Sequence, residues 1–99
     1  MWILRTVTEG QPEQTFRFLA GNMRTLGRAT GADFIVDAAL VSRVHCRLTV
    51  LPDGTLEVRD LESTNGTFVN GSRIERARLQ AGDRLQVGRV ELVALKDAE

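Results

Sequence analysis

Apolar and polar residues alternate with a period of two along most of this chain, and turn signals interrupt the alternation at short intervals. Trp2, Leu4 and Thr6 alternate with Ile3, Arg5 and Val7, and Phe16 and Phe18 flank Arg17. Leu56 and Val58 alternate with Glu57 and Arg59, Leu85 and Val87 with Arg84 and Gln86, and Glu91 to Leu95 forms a closing apolar run. Successive side chains in a strand point to opposite faces, so each pattern gives a strand with one buried face. Gly10-Gln11-Pro12 separates the first two runs, and Pro52-Asp53-Gly54 reads as a hairpin turn before Leu56. Asn70-Gly71 sits between Thr67-Phe68-Val69 and Ser72-Arg73-Ile74, the preferred dipeptide for a type I′ hairpin. Gly82-Asp83 introduces Leu85 to Val87, and Gly88-Arg89 parts that strand from the last. Many short strands joined this way predict an all-β sandwich. Only Glu75 to Gln80 has the residues for a helical turn, one too short to matter to the fold, and Lys96 to Glu99 are expected to fray.

At 99 residues the chain is expected to be a single domain over 1–99, long enough for its own core. No apolar stretch nears the roughly 18 residues of a membrane span. Met1-Trp2-Ile3-Leu4-Arg5 lacks the layout of a secretory signal, so the expected location is the cytoplasm. The 13 basic and 13 acidic residues cancel, leaving no overall field to attract nucleic acid or an anionic membrane. One Trp and no Tyr also give little for bases to stack on. Of the basic residues only Lys96 is a lysine, so any anion site here is built from arginine. A single cysteine, Cys46, leaves no internal disulfide and no multi-cysteine metal site. The alternation places Cys46 on one face with Val44, Leu48 and Val50, as a small buried apolar residue.

Three polar clusters stand at the ends of these strands: Gly27-Arg28, Ser42-Arg43-Val44-His45, and the run Ser63-Thr64-Asn65-Gly66-Thr67. Arg28 offers a planar fork of donors that matches two oxygens of a phosphate or carboxylate at once. Ser42 and Arg43 place a hydroxyl and a second guanidinium where a strand begins. His45 reads as a hydrogen-bonded structural imidazole. The third cluster holds three hydroxyls, an amide and a glycine, residues that compete for backbone groups and stabilise tight turns. The inventory suits holding a phosphate and offers no metal cage, cofactor motif or nucleophile pair.

In this order and spacing, Gly27-Arg28, Ser42-x-x-His45 and Ser63-Thr64-Asn65-Gly66-Thr67-Phe68-Val69-Asn70-Gly71 resemble the signature of the forkhead-associated (FHA) domain. Leu79-x-x-Gly82-Asp83-x-Leu85-x-Val87-Gly88 resembles the family's closing strands. The resemblance runs from about Leu26 to Leu95. It implies a β-sandwich of about eleven short, mostly antiparallel strands, whose loops at one end bind phosphothreonine in a partner protein phosphorylated by a Ser/Thr kinase. It implies that Arg28 and Ser42 are the principal phosphate ligands, that Thr64 also contacts phosphate, and that Asn65 grips the peptide backbone. Arg43 falls at a variable position that helps with the phosphate or the nearby peptide, while Gly27, His45 and Gly66 shape the loops. The loop Thr30 to Asp33 is short and is expected to limit contacts to residues C-terminal to the phosphothreonine.

Two other readings differ in class. Ser42, His45 and Asp60 contain the residue types of a hydrolase triad, but nothing resembles a nucleophile elbow, and no Gly-rich phosphate loop with lysine is present. The expectation is a monomeric binding module and not an enzyme. The alternative on the same fold is a phosphate-independent interaction or self-association module.

Overall fold

A computed structural model describes residues 1–19 and 21–96 of the chain. Eleven strands among them follow in order: β1 (Trp2–Thr6), β2 (Thr15–Phe18), β3 (Met23–Gly27), β4 (Phe34–Ile35), β5 (Cys46–Val50), β6 (Leu56–Asp60), β7 (Thr67–Val69), β8 (Ser72–Ile74), β9 (Arg76–Leu79), β10 (Arg84–Val87) and β11 (Val90–Lys96). They form a six-stranded sheet in the order β2-β1-β11-β10-β7-β8 and a five-stranded sheet in the order β4-β3-β5-β6-β9. The pairing of β3 with β4 is parallel; the pairings of β1, β5, β6, β7 and β10 with their neighbours are antiparallel. Among the described residues no helix is long and apolar enough to cross a membrane.

The period-two pattern becomes the core. Leu4, Leu85, Val87, Leu92 and Ala94 from one sheet meet Leu26, Cys46, Leu48, Leu56 and Val58 from the other, all essentially without solvent contact. Phe34 stacks on Phe16 with ring centroids 4.7 Å apart and meets Phe18 edge-on at 5.4 Å, closing the sandwich beside β2 and β4. Cys46 lies in this core, and burial, reinforced by the nearby Asp60 charge, pushes its thiol far above the ordinary range.

Both hairpin turns form as their residues dictate. At Asn70-Gly71 the two φ angles are +50° and +86°, the paired left-handed conformation of a type I′ turn. The Asn70 side chain also accepts from Arg84 N–H at 2.9 Å and donates to Asp83 Oδ1 at 3.1 Å, so the turn is fastened to the start of β10.

Two local expectations are corrected. Glu75 to Gln80 contains strand β9 and no helical turn. Ala77 lies opposite Val58 and Leu79 opposite Leu56, so one face of Arg-Ala-Arg-Leu completes the core while both arginines face out. Six residues are too few to repay helix nucleation, and the strand edge of β6 satisfies the backbone instead. Val44 does not share the Cys46 face: it is 42% exposed and precedes β5, which begins at Cys46. Lys96 ends β11, and the rest of the segment expected to fray, 97–99, lies outside the described residues.

Leu48 has no solvent contact at the centre of β5. Leu48→Ala is expected to cost about 2–5 kcal/mol in urea unfolding; a loss well under 1 kcal/mol would mean that the two sheets are not closed over this position.

Candidate functional site at one end of the sandwich

Three loops leave the same end of the two sheets: the one after β3, the one leading into β5, and the one between β6 and β7. Backbone hydrogen bonds tie the first two together. His45 N–H donates to Leu26 O at 2.8 Å, Arg28 N–H to Ser42 O at 2.9 Å and Ala29 N–H to Arg43 O at 3.1 Å. Gly27 is required between them, because a Cβ there would fall inside the Arg43 carbonyl.

His45 joins the second loop to the third. Its ring is fully buried. Ser42 N–H donates to Nδ1 at 3.0 Å, and Nε2 lies 2.9 Å from Gly66 O. Nδ1 accepts, so it carries no proton; Nε2–H therefore donates to Gly66 O, and the ring is the neutral Nε2–H tautomer. Gly66 supplies that carbonyl from a left-handed conformation, φ +89°, with the Arg73 side chain lying against its α-carbon.

The third loop is shaped from within by Asp60. Its carboxylate accepts from Ser63 Oγ at 2.5 Å, Thr67 Oγ1 at 2.6 Å and Ser63 N–H at 3.2 Å, and Ser63 Oγ in turn accepts from Gly66 N–H at 3.0 Å. Burial pushes the Asp60 carboxyl up, but these hydrogen bonds outweigh it and hold the group below the usual carboxylate range.

Between the loops lies an open concavity of about 330 Å³ lined by Arg28, Ala39, Leu40, Val41, Ser42, Thr64 and Asn65. Arg28 Nε donates to Val41 O at 3.0 Å, which fixes the guanidinium; its terminal nitrogens make no ion pair or hydrogen bond with the described residues. Ser42 Oγ accepts from Thr64 N–H at 3.1 Å and keeps its own proton for another acceptor. Asn65 Nδ2 donates to Leu40 O at 2.9 Å, leaving its second amide proton and its Oδ1 for a ligand. Leu40 holds φ +74°, a conformation that costs a residue with a side chain on the order of 1–3 kcal/mol, and the Asn65 bond holds it there. Among the described residues one guanidinium and no carboxylate line the concavity, so within a chain of zero formal net charge it is a locally positive surface.

The FHA domain family model matches residues 24–88 of this chain. The chain belongs to the FHA domain family. Over 68 residues it is 46% identical to the ABC transporter ATP-binding/permease protein Rv1747 of Mycobacterium tuberculosis, a match covering 69% of this chain and 8% of that protein. Over 90 residues it is 37% identical to the glycogen accumulation regulator GarA of Mycolicibacterium smegmatis, covering 90% of this chain and 56% of GarA. The chain thus spans less than two thirds of either relative. A solved structure concerned with phosphothreonine-dependent FHA domain interactions superposes with a TM-score of 0.87 at 26% identity, covering 99% of this chain and 98% of that one.

Of the FHA residues singled out from the sequence, Arg28, Ser42, Thr64 and Asn65 converge on the concavity, and Gly27, His45 and Gly66 lie behind it in the loops. Arg43 does not line it: its backbone carbonyl holds Ala29, and the residue is exposed. The triad types do not assemble either. Both imidazole nitrogens face backbone groups, and the Asp60 carboxylate is taken up by Ser63 and Thr67. The sequence reading missed three contributors. Asp60 fastens the third loop, Leu40 supplies a strained carbonyl, and Gly88 (φ +58°) lets the β10–β11 turn approach Leu40, since an added Cβ would meet its carbonyl at 2.9 Å. Asp60 three residues before Ser63 was a readable turn signal; the Leu40–Gly88 approach is long-range and left no local trace.

Because the folded Asp60 carboxyl is depressed, its bonds stabilise the fold above the unfolded value of about 3.9. That contribution is lost as pH falls through the lower folded value. The FHA domain is therefore expected to exceed its Asp60→Asn variant in thermal stability at neutral pH, with the gap closing below about pH 4; parallel curves down to pH 2 would contradict the assignment.

Proposed function

We propose that this FHA domain binds a phosphothreonine-bearing segment of a partner protein, with Arg28, Ser42 and Thr64 on the phosphate and Asn65 on the adjoining peptide backbone. The observation that carries the reading is the convergence of one fixed guanidinium, two hydroxyls and a side-chain amide from three loops on a concavity that no carboxylate among the described residues lines. The similar structure of phosphothreonine-dependent FHA interactions supports it. A regulator among the relatives supports a binding role in place of a catalytic one. We place the encounter in the cytoplasm, with a Ser/Thr kinase writing the mark.

A phosphothreonine phosphate carries about −1.5 to −2 charges at neutral pH. Charge-assisted bonds from Arg28 contribute about 1.5–3 kcal/mol each, and the hydroxyls add neutral donors that orient the tetrahedral group. Arg43 is a second cation at the edge, close enough in sequence to add long-range attraction without a place in the wall. Ala39 and Leu40 put apolar surface beside the phosphate ligands. A threonine methyl lodged there would favour phosphothreonine over phosphoserine by about 1–3 kcal/mol. A short extended peptide buries less than the roughly 1,200 Å² of a standard interface, which sets the affinity near micromolar, about −8 kcal/mol.

Arg28→Ala is expected to abolish calorimetric binding of a phosphothreonine peptide without unfolding the domain. Arg28→Lys should also fail, since a point charge cannot copy the fork held by Val41 O; near-normal titration by either variant would contradict the assignment. The dianion should bind best, so affinity should fall as pH drops through the phosphate pKa of about 6. A flat profile between pH 5 and 7.5 would mean that the phosphate charge is not what is read.

A further inference from the structure

The outer face of the five-stranded sheet carries an arrangement that the fold does not need. Arg47 on β5 lies directly opposite Arg59 on β6, and Arg59 lies directly opposite Arg76 on β9. Directly opposed residues on neighbouring strands sit about 4.5–5.5 Å apart, and like charges in that position destabilise a sheet. The next outward row holds Glu57 opposite Arg78, so the outward positions of β6 and β9 together with Arg47 hold four arginines against one glutamate. That glutamate is already 3.8 Å from Arg76, and Arg78 lies 4.0 Å from Asp53 in the turn before β6. Arg47 and Arg59 make no ion pair with the described residues.

The row lies at the phosphate end of the sheet. Arg47 is two residues beyond His45, Arg59 immediately precedes Asp60, and Asp60 N–H donates to Glu75 O next to Arg76. Arg73 links row and loop: its guanidinium lies against Gly66, and with Arg59 and Arg76 it lines an open concavity of about 830 Å³ whose other walls are Asp60, Glu62 and Glu75. A guanidinium path thus leads from the loop bearing Thr64 and Asn65 onto the sheet face.

We propose that this arginine row docks an acidic segment of the same partner protein that carries the phosphothreonine, a second contact that rests on the phosphothreonine reading. Charge complementarity selects the occupant. Arg47 and Arg59 have no carboxylate partner among the described residues, and Arg76 and Arg78 hold theirs only at 3.8 and 4.0 Å. Glu62, Glu75 and Glu57 between and beside them break the basic surface into patches that suit a short, discontinuous run of Asp or Glu better than the continuous charge of a nucleic-acid backbone. The row costs the isolated domain stability through repulsion and returns it as attraction when the segment binds.

The test uses three phosphothreonine peptides with one core: neutral flanks, a glutamate run on the N-terminal side, and a glutamate run on the C-terminal side. One acidic extension is expected to bind roughly tenfold more tightly than the neutral peptide at low salt, and the gain should fade at high salt. In the combined variant Arg47→Gln, Arg59→Gln, Arg76→Gln the neutral peptide should bind as before and the gain should vanish, with thermal stability unchanged or raised. Equal binding of all three peptides, or a gain that survives in the variant, overturns the proposal. If the neutral peptide does not bind at all, the phosphate reading fails. The row is then judged separately by arginine Nε–H shifts on adding an unphosphorylated glutamate-rich peptide: shifts at Arg47, Arg59 and Arg76 uphold it, and their absence overturns it. Tighter binding of a DNA duplex than of the acidic peptide, lost in the variant, also overturns it.

Discussion

A buried imidazole holds the working end of this sandwich together. Each His45 nitrogen answers a backbone group from a different loop, Ser42 N–H on one side and Gly66 O on the other. Because the two partners are one donor and one acceptor, only the neutral ring with its proton on Nε2 satisfies both. An aliphatic side chain of similar size would leave two backbone groups unpaired in a dry site, at a cost of about 1–3 kcal/mol for each. The residue most suggestive of catalysis is thus spent on architecture. Its effect is to set Ser42, which precedes it, at a fixed distance from Thr64 and Asn65, which precede Gly66.

Around that bond the loops are fastened by redundant polar contacts. Asp60 collects three hydrogen bonds from inside the β6–β7 loop, Asn65 reaches across to Leu40, and Ser42 Oγ receives Thr64 N–H. Groups so fixed lose little freedom when a ligand arrives, so more of the interaction energy appears as affinity. The residues that bear the leftover donors line the concavity, and among the described residues its wall carries positive charge and no carboxylate. Charge is therefore sorted locally in a chain that carries none overall, with a second basic region on the outer sheet face where Arg47, Arg59 and Arg76 line up.

Much of this was legible in the residues, for a physical reason. Alternation in Leu56-Glu57-Val58-Arg59 and Arg84-Leu85-Gln86-Val87 reports a half-buried strand directly, and Asn70-Gly71 names its own turn type. Arg76 to Leu79 was misread because four residues alternate too briefly to outweigh good helix formers; its strand character comes from the edge of β6, far away in sequence. Val44 was misread because alternation does not say where a strand begins, and here the loop that serves the site runs up to His45. The spacing of Arg28, Ser42, Thr64 and Asn65 gave the candidate residues but not their geometry. It could not show that the Arg28 fork is anchored by Val41 O or that Arg43 stands outside the wall.

The central claim is that one tetrahedral dianion sits among Arg28, Ser42, Thr64 and Asn65. Titration of the labelled domain with a phosphothreonine peptide, followed by amide and arginine Nε–H chemical shifts, tests it most directly. Large shifts at Arg28 Nε–H and at the Ser42, Thr64 and Asn65 amides, reversed when phosphatase removes the phosphate, are expected. Shifts that ignore phosphatase, or that cluster elsewhere while these four stay still, would contradict it.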